Sequence, residues 1–157
     1  YKRLNNNFIF YIVGSGPEEE SLKELTKNLD LEKEVVFTGQ LDKQSLSQFY
    51  EKSNIYIQGS SYEGLPHVIL EAISHNLSII STPIGGTNEV LMNGRNGWIW
   101  QLHNSFKPEK DDLLYIIQEL ANNIEKDSLL KKNASKHLHK LFNEEQNLKT
   151  YLEILRK

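Results

Sequence analysis

The sequence reads as an α/β protein, with a parallel sheet carrying helices on both faces. Two observations predict this. Short runs of β-branched and aromatic residues alternate with stretches of helical periodicity, and the runs end at glycine, proline or polar turn residues. At 157 residues the chain fits one compact domain, and it is expected to form a single domain over 1–157 that includes carboxyl-terminal helices over 109–156.

The first strand is Phe8-Ile9-Phe10-Tyr11-Ile12-Val13, a continuous apolar run of the kind buried on both faces of a parallel sheet. It stops at Gly14-Ser15-Gly16-Pro17. A helix over 17–29 follows, with Pro17 suited to its first turn, Glu18, Glu19 and Glu20 at its positive end, and Leu22, Leu25 and Leu29 at helical spacing. Val35-Val36-Phe37 is a second strand ended by Gly39. Residues 43–52 form a helix with Leu46, Phe49 and Tyr50 inward, and Ile55-Tyr56-Ile57 is a third strand. After a polar loop, residues 66–75 form a helix with Val68, Ile69, Ala72 and Ile73 on its apolar side. Ser78-Ile79-Ile80-Ser81 is a fourth strand, and Trp98-Ile99-Trp100 a fifth whose tryptophans share a core face. A short helix carries Glu89 to Met92 between them. Helices over 109–124, 127–141 and 144–156 complete the chain, separated at Asn122-Asn123 and Asn143.

Composition excludes several functions. With no cysteine there is no disulfide framework, thiolate catalysis or cysteine-held metal. The six-residue run at Phe8–Val13 is far short of the roughly 20 residues of a membrane span. The polar, asparagine-rich N-terminus lacks a signal-peptide pattern, and a cytoplasmic location is expected. A net charge of −3 argues against nucleic-acid binding. Charge is uneven, however. Residues 101–157 hold 10 Lys/Arg against 9 Asp/Glu, and Lys132, Lys136 and Lys140 recur on one helix face. That is a solvated face or, more sharply, a peripheral contact with an anionic membrane.

In parallel sheets ligands bind beyond the carboxyl ends of the strands, so the loops after strands one, three and four are where function is sought. Gly14-Ser15-Gly16 invites a dinucleotide reading, but Glu19 stands where the third glycine belongs. Three glutamates would there oppose a pyrophosphate. A tight turn with positive φ, or backbone brought close to a ligand held elsewhere, also explains it. The fuller constellation is Glu63-Gly64-Leu65-Pro66-His67-Val68-Ile69-Leu70-Glu71. Pro66 opens a helix whose first N–H groups can bind an anion, and two carboxylates can accept hydrogen bonds from sugar hydroxyls. Each glutamate alone is equally well a helix-start or surface carboxylate. His75, His103, His137 and His139 show no metal-ligand spacing, and no serine sits in a hydrolase elbow.

Ser61 to Ala72 resembles the E-x7-E signature of the group 1 retaining glycosyltransferases of the GT-B fold. The resemblance runs in register through Val13–Pro17, Phe37–Leu41, Thr82–Glu89 and Asn93–Gly97. It implies the Rossmann-like, donor-binding carboxyl-terminal half of that fold. By resemblance Glu63, the candidate catalytic residue, positions the transferred sugar. Gly64, Leu65, Pro66 and His67 hold sugar and diphosphate, and Glu71 takes the ribose hydroxyls. Gln40 and Leu41 lie beside the base, and Gly14 and Gly16 near the phosphates. The donor is expected to be a UDP- or GDP-sugar, with no metal, and transfer to retain anomeric configuration. A nucleotide-sugar epimerase domain and a non-catalytic nucleotide-sugar module are the alternatives.

The departures carry expectations too. The family's diphosphate-binding Arg and Lys belong upstream of the Gly14 loop, where this sequence offers only Lys2 and Arg3. The chain is expected to be an excised domain lacking its first strand and the amino-terminal domain that binds the acceptor. It should bind nucleotide weakly and transfer no sugar alone. Asn76 stands where the family has glycine, a residue that also tolerates the left-handed conformation at a helix end.

Overall fold

The computed structural model describes residues 8–60, 67–100, 102–103, 107–108 and 110–143, and the chain divides into two compact units, Tyr1–Lys52 and Ser53–Lys157. The five expected strands all form, and all pair in parallel within their units.

In the first unit, β1 (Phe10–Val13) runs through α1 (Glu19–Asn28) to β2 (Val35–Gly39), with Phe10 opposite Val35 and Ile12 opposite Phe37. α2 (Lys43–Lys52) has the bounds its periodicity predicted. Asp42 caps it: its carboxylate accepts from Ser45 N at 2.7 Å, and these hydrogen bonds hold its pKa below the ordinary aspartate value. Tyr50 is buried, and Lys52 stacks over Phe49 at 3.4 Å and Tyr11 at 4.4 Å. The first strand is not buried on both faces as its apolar run predicts. Ile9, Ile12 and Val13 are exposed, because among the described residues of this unit nothing covers that face of the β1-β2 pair. Leu22, Leu25 and Leu29 of α1 are exposed as well. Periodicity shows which residues share a face, not what covers it.

In the second unit, β3 (Ile55–Gln58), α3 (His67–Ser74), β4 (Ser78–Ser81), α4 (Thr87–Val90) and β5 (Trp98–Ile99) build a three-stranded sheet in the order β3-β4-β5. β4 is central and buried throughout. An antiparallel pair, β6 (Leu102–His103) with β7 (Lys107–Pro108), has no counterpart in the sequence reading. α5 (Lys110–Asn122) and α6 (Ile124–Leu141) follow, and Asn123 in the break between them caps α6 by accepting from Lys126 N at 3.0 Å. The expected helix over 144–156 lies outside the described residues.

The core of this unit joins Ile69, Ala72 and Ile73 of α3 with Ile79 and Ile80 of β4, Ile116, Ile117 and Leu120 of α5, and Leu130 and Ala134 of α6. Val68, expected on the apolar side of α3, is exposed. Polar contacts lock α6 to the sheet. The Ser78 hydroxyl donates to the Asp127 carboxylate, which also pairs with Lys131 at 2.8 Å. Lys126 pairs with Glu119 of α5 at 2.8 Å, which raises its pKa, and lies 4.8 Å from the Trp98 ring centre. Trp98 and Trp100, expected in the core, are half-buried.

α1 and α3 end alike. Leu31 N bonds Thr26 O and Asp30 N bonds Lys27 O; Leu77 N bonds Ala72 O and Asn76 N bonds Ile73 O. These are two Schellman motifs, with Asp30 at φ 53° and Asn76 at φ 59° in the place glycine usually takes. Asn76 thus does what its tolerance for the left-handed region predicts.

Candidate functional site

Because β3 and β4 are parallel, the segments leaving Gln58 and Ser81 emerge from one edge of the sheet. α3 begins at this carboxyl edge with His67, and its first-turn N–H groups have no acceptor within the helix. Glu71 stands one turn later. His67, Glu71 and Ser74 share the exposed face, while Ile69, Ala72 and Ile73 turn inward. Apolar periodicity therefore delivers Glu71 outward, on the turn after the helix start. Glu63, Gly64, Leu65 and Pro66 lie outside the described residues.

A polar network under this edge was not anticipated. Gln58, buried at the end of β3, donates from Nε2 to Ser60 Oγ at 3.2 Å. Thr82, fully buried at the end of β4, donates from its backbone N to Gln58 O at 3.1 Å and from its hydroxyl to Ser60 O at 2.8 Å. These bonds set the direction in which the chain leaves both strands. A lone polar residue closing an apolar strand was the only available signal. Glu89 is exposed on α4.

In the first unit, Gly14 has φ 114° and Gly39 has φ 65°, and Gly14 N donates to Gly39 O at 2.8 Å. An added Cβ at either would meet nothing within 4 Å, so conformation and not crowding calls for glycine. The bond places the Gly14 turn beside the segment entering Gln40 and Leu41, of which Gln40 is exposed and Leu41 half-buried. Gly16 has no positive φ; its carbonyl accepts from Glu19 N at 3.1 Å. A cavity of about 310 Å³ opens here, with Gly14, Ser15, Gly16 and Glu19 over an apolar floor of Ile12, Leu22 and Phe37. Lys23 pairs with Glu19 at 2.9 Å and Glu20 at 3.0 Å, which raises its pKa and offsets two of the three carboxylates crowding this helix start.

Among the described residues, no three histidine or acidic side chains gather as a metal site would need, and no helix is long and apolar enough to cross a membrane.

Residues 1–137 match the family described as glycosyl transferases group 1. An uncharacterised glycosyltransferase of Haemophilus influenzae is 39% identical over 94 residues, covering 59% of this chain and 26% of that protein. One of Methanocaldococcus jannaschii is 32% identical over 155 residues, covering 98% of this chain and 38% of that protein. Among solved structures, HepE of Anabaena in complex with UDP superposes with a TM-score of 0.73 at 22% identity, over 93% of this chain and 41% of that one. The chain thus spans less than half the length of each.

Proposed function

The chain belongs to the group 1 glycosyl transferases and has the fold of part of the GT-B glycosyltransferases, and from that premise we propose that it is the donor-binding domain of a retaining glycosyltransferase. Its substrate in this reading is a nucleotide-sugar, a UDP- or GDP-hexose. The acceptor is a glycan, lipid-linked sugar or protein, bound mainly by an amino-terminal domain of the whole enzyme.

The observation that carries the reading is the start of α3. A helix N-terminus at the carboxyl edge, with an exposed carboxylate one turn on, offers donors for phosphate and an acceptor for vicinal hydroxyls. Glu71 then binds the ribose, and the segment from Gly64 to His67 holds sugar and diphosphate. Glu63 positions the transferred sugar. Gly14 and Gly16 serve the phosphates through backbone, and Gln40 and Leu41 flank the base. The departing diphosphate is stabilised by helix N–H groups and basic side chains, with no metal ion in the proposed scheme. UDP in HepE supports a nucleotide donor.

Titrating UDP, GDP and ADP into the labelled chain by heteronuclear NMR tests this. Shifts are expected at His67–Glu71 and Gln40, with one base preferred. Glu71→Ala should weaken binding by about 1.5–3 kcal/mol, the worth of a hydrogen bond to a charged group. Unchanged affinity would remove Glu71 from the ribose. In the whole enzyme, Glu63→Ala should lower turnover more than nucleotide affinity, and the 157-residue chain alone should transfer no sugar.

A further inference from the structure

A concave site lies at the amino edge of the β3-β4-β5 sheet. The turn Asn93–Gly97 leads into β5, so it sits at the amino edge, away from the start of α3. Between this turn and the last turns of α6 is a cleft of about 540 Å³. Its basic lining is Arg95 from the turn and Lys136, His137, His139 and Lys140 from α6, and among the described residues no carboxylate lines it.

The walls of the cleft are held by hydrogen bonds that do not use the cationic groups of Arg95, Lys136 and Lys140. Asn96, 1% exposed, accepts from Met92 N at 2.6 Å and donates to Val90 O at 2.9 Å, which fixes the turn from inside. Asn133 Nδ2 donates to Arg95 O at 2.8 Å and ties the turn to α6. His137 Nε2 lies 3.3 Å from Glu89 O; a carbonyl only accepts, so this nitrogen carries the proton. Of the α6 lysines, Lys126 and Lys131 are in ion pairs. Arg95, Lys136 and Lys140 have no ion-pair partner among the described residues. Lys136 and Lys140 are one helical turn apart on the wall facing the Arg95 turn. The carbonyl end of α6 opposes an anion with about half a unit charge, which three full cations outweigh.

We propose that this cleft binds a ligand bearing phosphate groups, with Arg95 engaging one group through its planar fork and Lys136 and Lys140 neutralising the charge from the other side. Such groups occur on soluble phosphorylated molecules and on anionic lipid headgroups alike. The site is independent of the donor reading, since it uses none of the residues assigned there.

Inorganic pyrophosphate titrated into labelled chain already saturated with UDP tests the proposal. Saturable shifts are expected at Arg95, Asn96 and Lys136–Lys140, apart from any at Gly14–Gly16 or His67–Glu71. Arg95→Gln and Lys136→Gln should each weaken binding about tenfold, while Lys132→Gln, on the same helix but outside the cleft, should leave it unchanged. Spectra of the variants without ligand verify that they fold. Sedimentation with phosphatidylglycerol against phosphatidylcholine vesicles identifies the source. Capture by the former, lost in Arg95→Gln, assigns a lipid headgroup; pyrophosphate binding without capture assigns a soluble ligand. Absence of cleft shifts and of capture would overturn the site, and so would equal weakening by Lys132→Gln, which would mean diffuse attraction only.

Discussion

Asn96→Ala removes the two side-chain bonds that Asn96 makes to Met92 N and Val90 O. The two losses are unequal. Val90 is 2% exposed, so its carbonyl, no longer bonded at 2.9 Å, is left in the protein interior at about 1–3 kcal/mol. Met92 is 37% exposed, so water can replace the lost 2.6 Å bond to its N–H, which leaves about 0.5–1.5 kcal/mol. The sum is about 1.5–4.5 kcal/mol, a large part of the roughly 5–15 kcal/mol available to a domain. Urea unfolding followed by tryptophan fluorescence is the assay. The two tryptophans of the chain, Trp98 and Trp100, both lie in the second unit and report on it alone. The midpoint should fall with the slope unchanged. Asn96→Asp keeps the acceptor for Met92 N but turns an anion toward the Val90 carbonyl, and should cost at least as much. A loss below about 0.5 kcal/mol in the alanine variant would refute the reasoning, because it would mean that neither bond is worth more than its water equivalent.

Three further outcomes are expected. In Gly97→Ala the new Cβ would lie 2.9 Å from Leu91 Cδ2 and 3.3 Å from the Ile79 carbonyl; overpacking should destabilise the same unit by about 1–3 kcal/mol in the same assay. Asn76→Ala places a Cβ-bearing residue without a local polar group at φ 59°, and should lower the thermal midpoint by the equivalent of about 1–2 kcal/mol, whereas Asn76→Gly should not lower it. The Asp42 carboxyl, followed by carbon-detected NMR, should titrate below an ordinary aspartate because it accepts from Ser45 N. Its folded-state pKa is depressed. The stability it lends α2 is therefore complete above the unfolded-state pKa and disappears as pH falls through the folded one, and Asp42→Asn should abolish that part of the acid dependence.

The parallel βαβ order was legible because each strand is an unbroken apolar run between stretches of a different period. The bounds of α2, the Asn123 break and the left-handed Asn76 came from equally local signals. What the sequence could not show was environment. Ile12 and Val13 look like core but are exposed in their unit, and Val68 looks like core until α3 turns it outward. The two-residue strands β6 and β7 are too short to display any period. At the candidate site, the apolar stripe of α3 implied an outward Glu71, but nothing in spacing joined Gln58 to Thr82. The lysine face of α6 was readable too. Its meeting with Arg95 was not, since the turn and the helix are brought together only by tertiary bonds such as Asn133 to Arg95.

Asp127 answers to two partners at once, the hydroxyl of Ser78 at the head of the central strand and the ammonium of Lys131 one turn along α6. Substitutions at these three positions therefore cannot add independently. Loss of Asp127 strands both partners, while loss of Lys131 leaves a half-buried carboxylate with a single hydroxyl to answer it. The cost of a change at one of these sites should therefore depend on what occupies the other two, and a double-mutant cycle on Ser78 and Lys131 would read that dependence directly.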